Sequence, residues 1–269
     1  MLRISLSWLA ESFAAIERLS DVSADLSGVQ AWSPIHEAKT KLDALFEYSV
    51  YKPHLRISPE RAQELTRTLQ ALLDKVLADE HYKLTEIDAW QARHAGEQFK
   101  VVFLSELGSL PTFLVLPKEN YDVNRLIENG IGLFPSQMPQ KVPEATDDAM
   151  EAGRCLAYEC NTASGFHTFR VVEAVTRRYW DAVAEGRARP HPETIGRIAG
   201  ELETQVFGEP KIHESLKQLA KLHRNPIAHP EVILTSDEAI AIVGMARSVI
   251  TPMLQVLPVL LPTTTNQSN

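Results

Sequence analysis

Apolar residues recur every three or four positions along nearly the whole of this 269-residue chain, and glycine occupies only 12 positions. That spacing lays an apolar stripe along one side of a helix and cannot line one face of a strand. The chain therefore reads as mainly α. Leu6, Leu9, Phe13, Ile16 and Leu19 predict a first amphipathic helix over 6–19. Ser33-Pro34 is read as the start of a second, running to about Tyr51 with Leu42, Leu45 and Phe46 inward, and Pro53 as its stop. Ser58-Pro59-Glu60 carries the N-cap and first-turn proline of a third. Its stripe is Leu65, Leu69, Leu72, Leu73, Val76 and Leu77. Thr85 caps a fourth that continues to about Leu107 and is stopped by Gly108.

One segment departs from this period. Thr112-Phe113-Leu114-Val115-Leu116, between Pro111 and Pro117, predicts a short strand. A lone strand needs a partner, which Val101–Leu104 or a second copy of the chain would supply, so at most a short strand or hairpin accompanies the helices. A short helix is expected over 124–128. Pro135, Pro139 and Pro143 stand among polar residues and mark 135–146 as a linker. It separates a helical N-terminal region, 1–134, from a bundle over 147–262. Four helices are expected in the bundle: 147–185, 192–206, 210–223 and 236–257. The polar residues 263–269 read as a disordered tail.

The net charge of −8 argues against a protein that coats nucleic acid without selectivity. The imbalance is uneven. Residues 1–150 carry 15 Lys+Arg against 22 Asp+Glu, and residues 151–269 carry 12 against 13. The second part is thus nearly neutral and locally rich in arginine, with Arg170, Arg177, Arg178, Arg187, Arg189 and Arg197. Clustered cations, not total charge, bind phosphates. The two cysteines, Cys155 and Cys160, lie five apart in a helical pattern and suit neither a metal pair nor a disulfide framework. They read as two buried, reduced thiols. No uninterrupted apolar run approaches the roughly 18 residues of a membrane span. Glu11 breaks the mildly signal-like start, so a cytoplasmic protein with no membrane association is expected.

The chemistry concentrates in His223-Arg224-Asn225-Pro226-Ile227-Ala228-His229-Pro230. Two imidazoles, a guanidinium and an amide fall within eight residues. Imidazole titrates near neutral pH, and guanidinium grips phosphate with a planar fork. Both are what RNA cleavage by an internal 2′-hydroxyl needs. Pro226 disfavours helical geometry at Asn225, so the chain is expected to leave its helix there and carry 224–230 as a loop. Upstream, Phe166-His167-Thr168-Phe169-Arg170-Val171-Val172-Glu173 places His167, Arg170 and Glu173 at successive helical neighbours.

The spacing of Arg224 and His229 resembles the Arg-x4–6-His signature of the HEPN superfamily, the higher eukaryote and prokaryote nucleotide-binding domains. The 166–173 stretch is similar to the first core helix of its bacterial members. The resemblance covers about the last 110 residues; the first 150 resemble no named domain. It implies a HEPN-like four-helix bundle whose motif loops meet across a homodimer. It also implies a metal-independent endoribonuclease, with no cofactor, acting as a toxin or anti-phage defence effector on RNA, alongside an antitoxin or sensor partner. His229 would then be general acid/base, Arg224 would stabilise the phosphorane, and Asn225 would orient a phosphate oxygen or the imidazole. Glu173, Arg170 and His223 would support them, with Arg177 and Arg178 extending an RNA track.

Blander readings stand beside each of these. A histidine or arginine after a helix commonly caps carbonyls. Arginines along a helix are commonly a solvated face, and His167 reads best as structural. A non-catalytic HEPN module that binds a nucleotide or a protein is the alternative to an enzyme. Metal binding by His223 and His229 with His213 or Glu231 lacks any supporting spacing. No Walker A, dinucleotide-binding or nucleophile-elbow motif occurs.

Overall fold

A computed structural model describes residues 4–260 apart from Asp25, Glu80, Glu119, Asn120, Ala228 and Pro230, and apart from the Asn225 side chain. The tail expected over 263–269 lies outside the described residues. The described chain is helical, with no sheet. It forms two compact units that divide between Phe113 and Leu114.

In the first unit, α1 (Leu6–Glu17), α2 (Gly28–Asp43), α3 (Ser58–Ala78) and α4 (Glu86–Ser109) pack in sequence order, and the 3-10 turn Arg18–Asp21 meets α4. Ile16, Leu19, Ile35, Leu42, Leu65, Leu69, Phe99 and Phe103 form the core. Leu6 and Leu77, placed on the inward stripes by their spacing, are exposed instead. Each lies in a terminal turn of its helix. The second helix begins at Gly28, ahead of the expected Ser33-Pro34 start. Ser27 and Gln30 make a reciprocal capping box, and Pro34 is accommodated inside the helix.

Buried carboxylates lock this unit. Glu106 of α4 accepts hydrogen bonds from the Arg56 and Ile57 amides and from both the amide and hydroxyl of Ser58. Ser58 was expected to cap α3; the cap is Glu106, 48 residues away in sequence. Three backbone amides, a hydroxyl and the positive end of the helix dipole converge on one anion. Asp88 plays the corresponding role at α4. It accepts from Lys75 Nζ at 2.7 Å, Tyr82 Oη at 2.6 Å and Thr85 Oγ1 at 2.7 Å. Burial opposes ionisation of both carboxyls. The hydrogen bonds outweigh it, and both are held below the usual carboxylate range.

The second unit contains α5 (Val123–Glu128), the 3-10 turn Gly130–Leu133, α6 (Met138–Lys141), α7 (Thr146–Ala157), α8 (Asn161–Val183), α9 (Ile195–Thr204), α10 (Pro210–Leu219), α11 (Asn225–Ile227) and α12 (Ser236–Val256). α8 lies at the centre, touching α7, α9, α11 and α12. The 135–146 segment is not a linker: Met138, Val142 and Ala145 are fully buried in the core of this unit. Lys141 Nζ also closes the Leu254 carbonyl near the end of α12, at 2.5 Å. The prolines there open short helical turns that cross the bundle. The boundary expected at 134/135 therefore moves to 113/114.

The helix expected over 147–185 is two. It breaks after Ala157, where Glu159 takes φ 61°. Cys160 consequently lies outside the helix and is exposed, and Cys155 is half-buried, so neither is the buried thiol expected from the pattern. The stretch 112–116 forms no strand: Phe113 is 88% and Leu114 82% exposed, with no ladder partner among the described residues. α12 is long and apolar enough to cross a membrane by length and composition. Its Ala239, Ile242, Val243, Ala246, Ile250, Met253 and Leu254 are instead buried in the bundle. Its cap is Thr235, whose hydroxyl and amide pair reciprocally with Glu238, directly before the helix start expected at 236.

Two glycines let backbones touch. A Cβ on Gly153 of α7 would lie 2.5 Å from Gly130 Cα and 2.7 Å from the Leu126 carbonyl. Neither is a flexible side-chain end that could yield. Gly153→Ala should therefore cost about 2 kcal/mol, read as a lower urea midpoint; an unchanged midpoint would contradict the close approach. Glu106→Gln should cost about 2 kcal/mol. A depressed carboxyl stabilises the fold fully above its unfolded value of about 4.3 and loses that contribution as pH falls through its lower folded value. The stability difference between wild type and Glu106→Gln should accordingly shrink as the medium is acidified below about pH 4, measured by urea unfolding at a series of pH values. A difference independent of pH would contradict the role of the charge.

Candidate functional site

The motif begins where α10 widens. Residues Ala220–Arg224 form a π-helical turn, followed by the single α turn Asn225–Ile227. The chain does not leave the helix at Asn225, as Pro226 led us to expect. An α-helix reaching Pro226 would lose one hydrogen bond and drive the ring into the carbonyl four residues back. The wider i→i+5 turn moves the chain off that register and absorbs the conflict.

The turn is tethered at both ends. Ile227 is 3% exposed and packs into the core. Gly165 on α8 makes room for it: a Cβ there would meet Leu234 Cδ1 at 2.9 Å and Ile227 Cδ1 at 3.3 Å. The other tether is ionic. Arg224 reaches Glu173 on α8, Nη2 to Oε1 at 3.4 Å. Arg177 approaches the second oxygen of Glu173 at 3.5 Å and Glu193 at 3.2 Å. Glu173 is only 16% exposed, whereas Arg224 and Arg177 are each 35% exposed. A mostly buried carboxylate thus holds two guanidiniums that still face solvent.

His229 follows this turn. Its amide N–H donates to the Pro226 carbonyl at 2.9 Å and its carbonyl accepts from Val232 at 3.2 Å, so the backbone is folded back on itself. The imidazole is exposed and makes no hydrogen bond or ion pair among the described residues. His223 is half-buried in the π turn. The Asn225 side chain, assigned to orient phosphate or imidazole, lies outside the described residues.

Other candidates are committed elsewhere. His167 Nδ1 and Arg170 Nε both meet Asp148 Oδ1, at 2.8 and 2.7 Å, and tie α8 to α7. Arg178 pairs with Glu144 at 2.6 Å. Arg170, Arg177 and Arg178 are therefore neutralised within the chain rather than displayed as an open cationic track. His213, considered as a metal ligand, is 3% exposed and pairs through Nε2 with the Phe207 carbonyl. No group of three or more His, Cys, Asp or Glu suited to a metal occurs among the described residues. No local sequence pattern marks Asp148, which gathers His167 and Arg170 from 19 and 22 residues away. The site's dependence on Gly165 was equally hidden, because a helical glycine advertises nothing about which chain crosses it.

Comparison with protein-family models, with curated proteins and with solved structures returned no match.

The Glu173–Arg224 contact should register as coupling. In a double-mutant cycle of Glu173→Gln and Arg224→Gln, the two losses should fall short of additivity by about 0.5–1 kcal/mol, measured by chemical unfolding. Strict additivity would show that the carboxylate does not hold the motif arginine.

Proposed function

We propose that this chain is a metal-independent endoribonuclease of HEPN type. The observation that carries the reading is the exposed His229 imidazole, without a side-chain partner among the described residues, beside a turn whose Arg224 is held in place by a mostly buried Glu173. The Arg-x4-His spacing and its resemblance to the HEPN signature support the same reading. So does the π turn at the motif, since such turns gather at functional sites.

The chemistry follows from the side chains. The 2′-hydroxyl of RNA attacks the adjacent phosphorus; the 2′-O–P bond forms and the P–O5′ bond breaks. A base removes the 2′-proton and an acid protonates the departing 5′-oxygen. The products are a 2′,3′-cyclic phosphate and a 5′-hydroxyl. Imidazole suits either proton transfer at neutral pH. One imidazole serves one transfer at a time, so the other falls to His229 of a second chain in a composite site. Arg224 stabilises the charge that grows on the equatorial phosphoryl oxygens. Glu173 keeps that guanidinium in one orientation, which lowers the cost of organising it at the moment of reaction. In this reading the protein acts as a toxin or anti-phage effector, and an antitoxin or sensor partner governs it.

A specific observation favours a second reading, a non-catalytic module that binds a nucleotide or a protein at the same turn. Arg170, Arg177 and Arg178 are already engaged by Asp148, Glu173, Glu193 and Glu144. A polyanion would have to displace these carboxylates to use them.

Purified protein incubated with RNA in EDTA separates the two. Cleavage leaving 2′,3′-cyclic phosphate ends is expected. It should fall by about 10²–10⁴-fold in His229→Ala and about 10²–10³-fold in Arg224→Ala, with helical content unchanged by circular dichroism. Binding without turnover would establish the second reading. Equal cleavage by His229→Ala would remove the first.

A further inference from the structure

α4 is apolar on two opposite sides. The side formed by Ala89, Ala92, Gly96, Phe99, Phe103 and Glu106 is buried in the first unit. These positions are spaced three and four apart. A second series with the same spacing, Ile87, Trp90, His94, Glu97, Val101 and Leu104, lies on the far side of the helix. It is open to solvent. Ile87 is 67%, Trp90 55%, Val101 63% and Leu104 47% exposed. His94 is exposed and stacked on Trp90, with ring centroids 4.7 Å apart. Glu97 is 56% exposed.

A helix that is apolar all round is buried all round, and α4 adds an exposed apolar series to the one it already buries. An alternating three-four repeat is the pattern of a helix-to-helix seam. We infer that this seam pairs with the same seam of a second copy, antiparallel, about a two-fold axis between His94 and Glu97. The order of the residues selects this occupant. In an antiparallel pair centred there, Ile87 meets the partner's Leu104 and Trp90 meets the partner's Val101. His94 meets the partner's Glu97, and the partner's His94 meets Glu97. The only two polar residues of the seam thus satisfy each other across the axis, and every apolar residue meets an apolar residue. A parallel pair would instead set His94 against His94 and Glu97 against Glu97. Polar residues inside an apolar seam fix register and orientation in this way, and a self-complementary patch generates a closed dimer.

The flanks agree with this arrangement. Gln91, Gln98 and Ser105 border the seam on one side, exposed and uncharged. On the other, Arg93 is spent on the Val22 carbonyl at 2.6 Å, and Lys100 on Glu17 and Glu97 at 3.1 and 3.4 Å. The two basic residues that approach their counterparts across the axis are therefore already engaged at home. The seam spans about 25 Å, five turns of helix. This contact lies in the first unit and is independent of the ribonuclease reading.

Disulfide trapping in the full chain tests it. In a background of Cys155→Ser and Cys160→Ser, the pair Ile87→Cys and Leu104→Cys in one chain should yield a covalent dimer under mild oxidation. Ile87→Cys alone and Leu104→Cys alone should not. Mixing the two single variants should yield the crosslinked heterodimer. Adding Val101→Glu to the double-cysteine chain should slow crosslinking at least tenfold while helical content is retained. No covalent dimer from the double variant would overturn the seam, whether the face is then bare or covered by another partner. Crosslinking by the single variants at the same rate would overturn its antiparallel order. Because trapping reads α4 directly, a second chain meeting at the His229 turn would not mask either result.

Discussion

The nitrogen of Pro226 carries no hydrogen, and the candidate site is arranged around that fact. A helix running through the motif would collide with its own proline. The chain instead opens into a π turn over Ala220–Arg224 and resumes for one turn at Asn225–Ile227. The wider turn brings Arg224 to Glu173 and directs Ile227 into the core at Gly165. What remains outside is His229, exposed on a short folded-back stretch of backbone. Arginine and imidazole are thus set by covalent geometry and by two tethers, one apolar and one ionic.

The same device recurs where no chemistry is at stake. Glu106 closes the start of α3 from 48 residues away, and Asp88 gathers a lysine, a tyrosine and a threonine at the start of α4. Near the motif, Asp148 and Glu173 gather a histidine and three arginines. Glu106 and Asp88 are costly to protonate because their donors hold the ionised form, and removing a carboxylate that receives several donors leaves those donors unpaired. Such carboxylates give each unit rigidity that the helix ends would otherwise lack. Near the motif they also neutralise cations that a phosphate would want, so the exposed fraction of Arg224 matters more than the number of arginines in the region.

Much of the fold was legible in the residues. Three-four periodicity located nearly every helix, and Thr85 was a readable cap. Failures came where tertiary contact overrides a local signal. Pro34 looks like a helix start, but the capping box at Ser27 and Gln30 begins the helix earlier and the proline is tolerated within it. Ser58 looks like its own cap until Glu106 arrives. The break at Tyr158–Cys160 bends at Glu159, a residue type that does not announce positive φ. Prolines at 135, 139 and 143 look like a linker when short helical turns cross a core. At the site, the motif itself was visible in sequence, as was the prospect of Glu173 near Arg224. The π turn, the Gly165 notch and the prior commitment of Arg170 and Arg178 depend on partners far away in the chain.

The claim that the His229 turn engages RNA through Arg224 is tested most directly by isotope-edited NMR of the histidine rings. The ligand is a 2′-O-methyl oligoribonucleotide, whose nucleophile is blocked so that the complex persists. With nine histidines, assignment by single substitution is practical. The expected result is a saturable shift of the His229 ring signals, absent in Arg224→Ala, with the buried His213 unmoved. Unmoved His229 signals at saturating oligonucleotide, or the same shifts in Arg224→Ala, would contradict it.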